Sequence, residues 1–136
     1  MTVATRTAPT VQSILELVGS TPMLRLARFC PDRELFAKLE YLNPGGSVKD
    51  RIGVGMLQTA EKAGLITPGV STIIEPTAGN TGVGLAIAAS AMGYRCILCV
   101  PTKYSREKML LMKALGAELV LIPKEDGMKG AIAKCH

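Results

Sequence analysis

Residues 72–100 read TIIEPTAGNTGVGLAIAASAMGYRCILCV, and this stretch decides the fold class of the chain. It opens with a short β-branched run (72–75) and continues through a polar, glycine-rich loop (77–82). An apolar run of helix length (83–92) and a second short apolar run (95–100) follow. Strand, loop, buried helix and strand in this order predict a βαβ unit, whose two strands are parallel.

The alternation of strands and helices continues on both sides of this unit. Upstream, residues 35–42 (LFAKLEYL) predict a strand and residues 49–63 a helix. Downstream, residues 105–115 predict an amphipathic helix and residues 118–122 a further strand. Four strands joined by three helices predict an α/β fold with one parallel sheet. Because crossovers place helices on both faces of such a sheet, we expect a three-layer αβα arrangement.

Shorter elements are predicted nearer the amino terminus. Ser13 stands where it can cap a short helix over residues 14–18, and residues 23–26 predict a short strand. Ser47 and Asp50 have the spacing of a capping box, with Asp in place of the usual Glu. The predicted box marks the start of the longer helix that follows.

The composition excludes some classes of function. Of the 136 residues, 48% are apolar, which is enough for a packed core rather than a disordered chain. Two Phe, three Tyr and no Trp argue against a module that stacks bases on aromatic side chains. The net charge of +5 is spread along the chain, so it suits a small anionic ligand better than nucleic acid.

Cysteine and histidine usage also narrows the chemistry. Cys96 and Cys99 form a CxxC inside a predicted strand, where this spacing places them on opposite faces and excludes a shared metal ion. They are therefore interpreted as core residues. His136 is the only histidine, so the chain cannot form a Ser-His-Asp or Cys-His arrangement. Most hydrolase chemistry is excluded, and a cofactor is indicated instead.

Residues 76–94 carry no charge and approach the length of a membrane span. Their polar residues cluster at the start, which favours a loop followed by a buried helix. No basic segment followed by an apolar core opens the chain, so no secretory leader is predicted. A cytoplasmic protein without membrane or nucleic-acid partners is expected.

The first loop that can carry chemistry spans residues 43–51 (NPGGSVKDR). Its two glycines allow a ligand to approach the backbone closely. Lys49 falls in the first turn of a predicted helix, where the macrodipole and the neighbouring Arg51 both disfavour an ammonium charge. Such a lysine suits Schiff-base chemistry. The alternative is a solvated lysine at a helix end.

The second loop spans residues 75–82 (EPTAGNTG), just before the buried helix. Thr77, Asn80 and Thr81 offer hydroxyl and amide groups, and the N–H groups at a helix start favour a carboxylate or phosphate. The alternative is a capped helix with Asn80 in a left-handed turn. A dinucleotide site is disfavoured, because the glycine order GxxGxG is reversed from the Rossmann fingerprint.

Together, four segments resemble the cysteine synthase and cystathionine β-synthase family of pyridoxal-phosphate enzymes. They are GSTPMLRL (19–26), NPGGSVKDR (43–51), EPTAGNTG (75–82) and ALGA (114–117), within a likeness that extends over residues 11–134. The resemblance implies the N-terminal part of a fold-type-II pyridoxal-phosphate enzyme, related to the β-subunit of tryptophan synthase. It also implies pyridoxal 5'-phosphate as cofactor.

The resemblance implies a role for one residue of the first loop and for several residues of the second. Lys49 is similar to the lysine that forms a Schiff base with the cofactor and later moves the α-proton. Asn80 is similar to the residue that hydrogen-bonds the 3' oxygen of the cofactor. Thr77, Gly79 and Thr81 match the loop that binds the α-carboxylate of the substrate, and Ala78 and Asn80 belong to the same substrate-binding loop.

Two departures from the family pattern modify this expectation. Ala78 stands in the substrate loop where the family usually has Ser, which removes one hydroxyl contact. The family enzymes are also longer, and their later phosphate-binding loop has no counterpart here. By resemblance, residues 1–35 belong with a larger domain and residues 36–136 form a smaller, mobile domain. This chain alone is expected to be inactive.

The implied reaction is a β-replacement on O-acetyl-L-serine, or a similarly activated serine, with sulfide as nucleophile and L-cysteine as product. The alternative within the family uses homocysteine as the thiol and gives cystathionine. A further alternative is a non-catalytic domain that binds a partner. By resemblance, the full-length form is a homodimer whose other partners are an amino-acid substrate and sulfide or a thiol.

Overall fold

Two short strands near the amino end pair with each other. A computed structural model describes residues 10–136 and shows β1 (Met23–Arg25) antiparallel to β2 (Phe36–Lys38). The predicted parallel strand over residues 35–42 is therefore wrong in its partner and its length. Alternation of apolar and polar residues is typical of a strand with one solvated face, whereas buried parallel strands are apolar throughout. Beyond Lys38, residues Glu40–Leu42 turn into a 3₁₀ helix.

In the described part of the chain, the parallel sheet has three strands rather than the predicted four. They are β3 (Thr72–Pro76), β4 (Arg95–Pro101) and β5 (Glu118–Ile122), in the spatial order β3-β4-β5. Both neighbours of β4 run parallel to it, as the βαβ pattern predicts. The loops that follow β3, β4 and β5 therefore lie at one edge of the sheet.

Within residues 10–136, four α-helices accompany the sheet. They are α1 (Lys49–Lys62), α2 (Asn80–Met92), α3 (Arg106–Ala114) and α4 (Gly127–Cys135). The first three were predicted from the sequence, whereas α4 was not. α2 contacts α1 and α3, and α4 packs across β4 and β3. Within residues 10–136, no helix has both the length and the apolar character needed to cross a membrane.

Alternate residues of β4 belong to two separate cores, which confirms helices on both faces of the sheet. Cys96, Leu98 and Val100 are buried in the core that contains α2, whereas Cys99 packs with Ala131 of α4. The two cysteines of the CxxC thus face opposite sides, as expected from their spacing. Burial raises the pKa of the Cys96 thiol to about 11, so this residue is a packing group rather than a reactive thiolate.

α1 and α2 cross with their backbones in contact, because glycine occupies the crossing point on both helices. A Cβ atom on Gly53 would overlap the Gly84 carbonyl group, and one on Gly84 would lie 2.5 Å from the Lys49 carbonyl oxygen. Only residues without a side chain permit this approach. The crossing therefore fixes the start of α1 against the first turns of α2.

Near the amino end, Ser13 caps a 3₁₀ helix over Ile14–Leu17 and forms a complete capping box with Glu16. The predicted cap is confirmed, although the helix is a single 3₁₀ turn. This turn packs against α2. The segment therefore borders the helix that carries Asn80.

Candidate active site

The loop before α1 is built on a buried asparagine. Asn43 is buried, and its amide nitrogen donates to the Glu40 carbonyl oxygen (2.8 Å) and to a Glu40 carboxylate oxygen (2.9 Å). Its side-chain oxygen accepts from the Gly19 N–H at 2.8 Å. The Gly46 N–H donates to the Asn43 carbonyl oxygen at 2.8 Å, and Gly46 has a φ of 78°, which suits glycine. The turn that leads to Lys49 is therefore fixed at both ends.

Lys49 is the first residue of α1, as predicted. Its N–H donates to the Ser47 hydroxyl at 3.2 Å, and its side chain makes no ion pair within residues 10–136. The predicted capping box between Ser47 and Asp50 is not formed, because Asp50 accepts from the Gly45 N–H instead. The side chain of Asp50 thus reaches back across the loop rather than to the cap.

Asp50 is a fully buried carboxyl group that sequence reasoning did not assign to the site. Burial raises the pKa of Asp50, the Gly45 N–H opposes that rise, and the charge of Glu40 adds to it. Its Oδ1 atom is buried without a hydrogen-bond partner in the described part of the chain. Only one of the two oxygens of the carboxyl group next to Lys49 therefore has a hydrogen-bond partner among the described residues.

Thr77 organises the loop after β3. It is buried, its N–H donates to the Cys99 carbonyl oxygen at 3.0 Å, and its hydroxyl oxygen accepts from the N–H groups of Gly82 (3.0 Å) and Gly79 (3.4 Å). With both acceptor positions used, the hydroxyl proton remains available to a ligand. Thr77 thus closes the loop and keeps one donor.

α2 begins three residues earlier than predicted, at Asn80 instead of Val83. The Thr77 hydroxyl explains the difference, because it binds the Gly82 N–H and so stabilises a helical turn at this point. Asn80 and Thr81 therefore lie in the first helical turn, where backbone N–H groups have no partner inside the helix. The left-handed turn considered for Asn80 is not observed.

The Asn80 side-chain oxygen is buried and has no hydrogen-bond partner among residues 10–136. Unpartnered buried polar atoms are rare in proteins and indicate a function or an unseen ligand. Asn80 also lies one helical turn before Gly84, which contacts the Lys49 carbonyl oxygen. Lys49 and Asn80 therefore each lie in the first turn of a helix, and the Lys49 backbone packs against α2 one helical turn beyond Asn80.

The remaining predicted residues lie beside Asn80. Ala78 and Gly79 are half-buried in the loop between β3 and α2. A Cβ atom on Gly79 would lie 3.7 Å from the Lys108 Cδ atom, so the stem of Lys108 on α3 runs alongside this loop. Sequence reasoning did not single out Lys108, which brings a cation to the side of the loop expected to bind an anion.

Comparison with known proteins identifies the family of the chain. Residues 14–136 match the sequence family described as "Pyridoxal-phosphate dependent enzyme". A cysteine synthase of Staphylococcus aureus is 49% identical over 126 residues, which cover 91% of this chain and 40% of that protein. The chain thus spans about two fifths of the length of this relative.

Solved structures give the same result for the fold. A cysteine synthase from Entamoeba histolytica superimposes with a TM-score of 0.88 at 38% identity, over 98% of this chain and 41% of that one. A cystathionine β-synthase from Bacillus anthracis superimposes with a TM-score of 0.77 at 54% identity, over 93% of this chain and 48% of that one. The predicted fold class and resemblance are confirmed. The chain belongs to the family of pyridoxal-phosphate-dependent enzymes.

Proposed function

We propose that the protein takes part in a pyridoxal-phosphate-dependent β-replacement on O-acetyl-L-serine, or a similarly activated serine, with sulfide as nucleophile and L-cysteine as product. The observation that carries this proposal is the buried, unpartnered side-chain oxygen of Asn80, which lies one helical turn from the contact between α2 and the Lys49 backbone and next to a loop suited to a carboxylate. Similarity to cysteine synthases supports the substrate and the product.

The residues present fit the cofactor. Lys49 offers a primary amine without an ion pair inside residues 10–136. The buried side-chain oxygen of Asn80 lacks a partner among residues 10–136, and turning the terminal amide group over places its nitrogen donor there instead. Pyridoxal phosphate presents an aldehyde and an adjacent oxygen, which these two groups can bind. When bound, it supplies the electron sink that makes the α-proton of an amino acid removable.

Proton transfer and binding of the substrate carboxylate are assigned to different residues of the site. The Lys49 amine holds the cofactor and, once released, moves the α-proton of the substrate. The Thr77 hydroxyl and the free N–H groups at the start of α2 bind the α-carboxylate. The positive end of the α2 macrodipole strengthens that binding. Ala78 contributes its backbone only, so this loop has one hydroxyl fewer than in most of the family.

The assignment of Lys49 can be tested by trapping. The purified protein is incubated with pyridoxal phosphate, reduced with borohydride and digested, and the modified lysine is located by mass spectrometry. We expect the adduct at Lys49, and its loss in Lys49→Ala. Lys62→Ala is the matched control, because Lys62 ends the same helix outside the site. An adduct that persists in Lys49→Ala would overturn the assignment.

A cystathionine-forming reaction is the second candidate, favoured by the 54% identity to a cystathionine β-synthase. Turnover of O-acetylserine by the full-length form with each nucleophile, followed by separation of cysteine from cystathionine, distinguishes the two reactions. We expect cysteine to be the main product. Cystathionine as the main product would favour the second candidate.

A further inference from the structure

The carboxyl group of Asp50 occupies a narrow space between the lysine loop and α2. A Cβ atom placed on Gly45 would lie 2.5 Å from Asp50 Oδ1 and 2.8 Å from Ile87 Cδ1. The backbone of Gly45 therefore lies directly against the carboxyl group, with α2 on its other side. Only glycine at position 45 leaves room for this contact.

The contact that Asp50 makes differs from ordinary helix capping. Asp50 is the second residue of α1, yet it accepts from the N–H of Gly45, five residues earlier and outside the helix. The adjacent Gly46 N–H closes the Asn43 turn, so consecutive N–H groups anchor the loop at two points. The Asp50 carboxyl group thus ties the loop to the helix turn that carries Lys49.

Full burial of this carboxyl group needs an explanation. A buried, half-satisfied carboxyl group costs stability relative to an apolar residue of similar size. Features of this kind are expected at functional sites, where local stability is lost in favour of a fixed geometry. The neighbour of Asp50 is the lysine that the proposed function requires to be fixed.

We propose that Asp50 is the positioning residue of Lys49: its carboxyl group holds the Gly45–Gly46 segment against the first turn of α1 and so fixes the backbone from which the Lys49 amine reaches the cofactor. This inference rests on the proposed function of Lys49. Asp50 does not itself contact the reacting atoms. It acts by restricting the orientations that the Lys49 side chain can adopt.

The test compares two substitutions of Asp50 with a control in the same helix. Asp50→Asn keeps an oxygen that accepts from Gly45, whereas Asp50→Leu fills a similar volume without an acceptor. Leu57→Ala is the control, because Leu57 is buried two turns further along α1. Each variant is titrated with pyridoxal phosphate, and the borohydride-stable adduct at Lys49 is quantified by mass spectrometry.

We expect Asp50→Leu to need about tenfold more cofactor for half-maximal adduct, the effect of losing one buried hydrogen bond. Asp50→Asn should stay within about threefold of the unaltered protein. Hydrogen exchange of residues 43–49 should accelerate in Asp50→Leu and not in Leu57→Ala. Equal titrations for the Asn and Leu variants would overturn the inference, as would a similar loss in Leu57→Ala at matched thermal stability.

The unaltered protein offers a measurement that does not depend on a variant folding. The Gly45 amide proton should exchange slowly, and its chemical shift should follow the titration of Asp50. Rapid exchange of that amide would overturn the inference even if the proposed function holds. Absence of any adduct at Lys49 in the unaltered protein would overturn the proposed function, while the amide measurement would still decide the Asp50 contact.

Discussion

At the scale of single residues, Asn80 and Thr77 differ in what their side chains do for the folded chain. The Asn80 oxygen has no partner within residues 10–136, whereas the Thr77 hydroxyl accepts two backbone N–H groups. We predict that Asn80→Ala lowers cofactor affinity while changing the melting temperature little. Thr77→Val should instead lower the free energy of unfolding by about 1–3 kcal/mol, because it leaves buried N–H groups unpaired.

Thermal melting with and without pyridoxal phosphate, combined with an adduct titration, separates the two variants. A steep fall in melting temperature for Asn80→Ala with unchanged adduct formation would show that Asn80 is a structural residue. The role proposed for it would then be wrong.

The hydrogen bonds of Glu40 predict that the folded state loses stability at acidic pH. Glu40 accepts from Arg51, Thr21 and Asn43, and the Arg51 guanidinium contributes most to lowering its pKa from 4.5 to about 2. A lowered pKa in the folded state means stability that is present above pH 4.5 and is lost as the pH falls towards 2. Glu40→Gln should therefore flatten the loss of stability between neutral pH and pH 2.

Urea unfolding at several pH values measures this effect. Glu107→Gln is the matched control, because Glu107 is exposed on α3 and lies outside the Glu40 cluster. If Glu40→Gln and the unaltered protein lost stability in parallel on acidification, the interpretation of the Glu40 cluster would be wrong.

At the scale of elements, the crossing of α1 and α2 depends on glycine. A Cβ atom on Gly84 would lie 2.5 Å from the Lys49 carbonyl oxygen, whereas one on Gly55 meets nothing within 4 Å. We predict that Gly84→Ala destabilises the protein by about 1–3 kcal/mol and weakens adduct formation at Lys49. Gly55→Ala, in the same helix pair, should be neutral or stabilise by up to about 1 kcal/mol. Equal effects of the two substitutions on unfolding would contradict a backbone-to-backbone crossing.

The elements that sequence reasoning predicted correctly are those that local pattern determines. The apolar run of α2, the β-branched run of β3 and the apolar run of β4 each predict their element without knowledge of the rest of the fold. Residues 35–42 were predicted as a strand of the parallel sheet, which is the wrong partner. The alternation of apolar and polar residues shows which face of a strand is buried, whereas the pairing of that strand depends on the rest of the fold. α4 was missed although Met128, Ala131, Ile132 and Cys135 have helical spacing, since Gly127 and Gly130 lower helix propensity.

The same distinction holds for the candidate site. Lys49 and Thr77 were identified from their loops. The structure places Lys49 at the start of α1 and Thr77 in the loop before α2, where its hydroxyl accepts from the Gly82 N–H. The burial of Asp50 was missed because it results from the contact between α1 and α2. That contact depends on Gly53 and Gly84. In a sequence pattern, a glycine inside a helix indicates only a low helix propensity and gives no sign of a close helix crossing.

At the scale of the whole molecule, hydrogen bonds join the amino-terminal segment to the lysine loop. The Gly19 N–H donates to Asn43 at 2.8 Å, and the Thr21 hydroxyl donates to Glu40 at 2.7 Å. The division of the chain at residue 35 into parts of a larger and a smaller domain stays a proposal. If the two parts move relative to each other, residues 19–21 remain attached to the lysine loop and the motion occurs elsewhere.

The surface of the described chain predicts self-association that strengthens with salt. Large apolar side chains are exposed, among them Phe29 (82%), Leu65 (76%) and Met56 (49%). The net charge of +5 opposes association of identical copies. Raising the salt from 0.1 M to 1 M shortens the screening length from about 10 Å to about 3 Å, which removes that repulsion and leaves apolar attraction intact.

Sedimentation velocity over a range of protein and salt concentrations tests this prediction. Met56→Glu should reduce association, because it places a charge within the exposed apolar face of α1. Gln58→Glu adds the same charge to the same helix at an exposed polar position, so it should leave association nearly unchanged. Association that weakens as salt rises would mean that ionic contacts hold the copies together, since screening acts on charges and leaves apolar contacts in place.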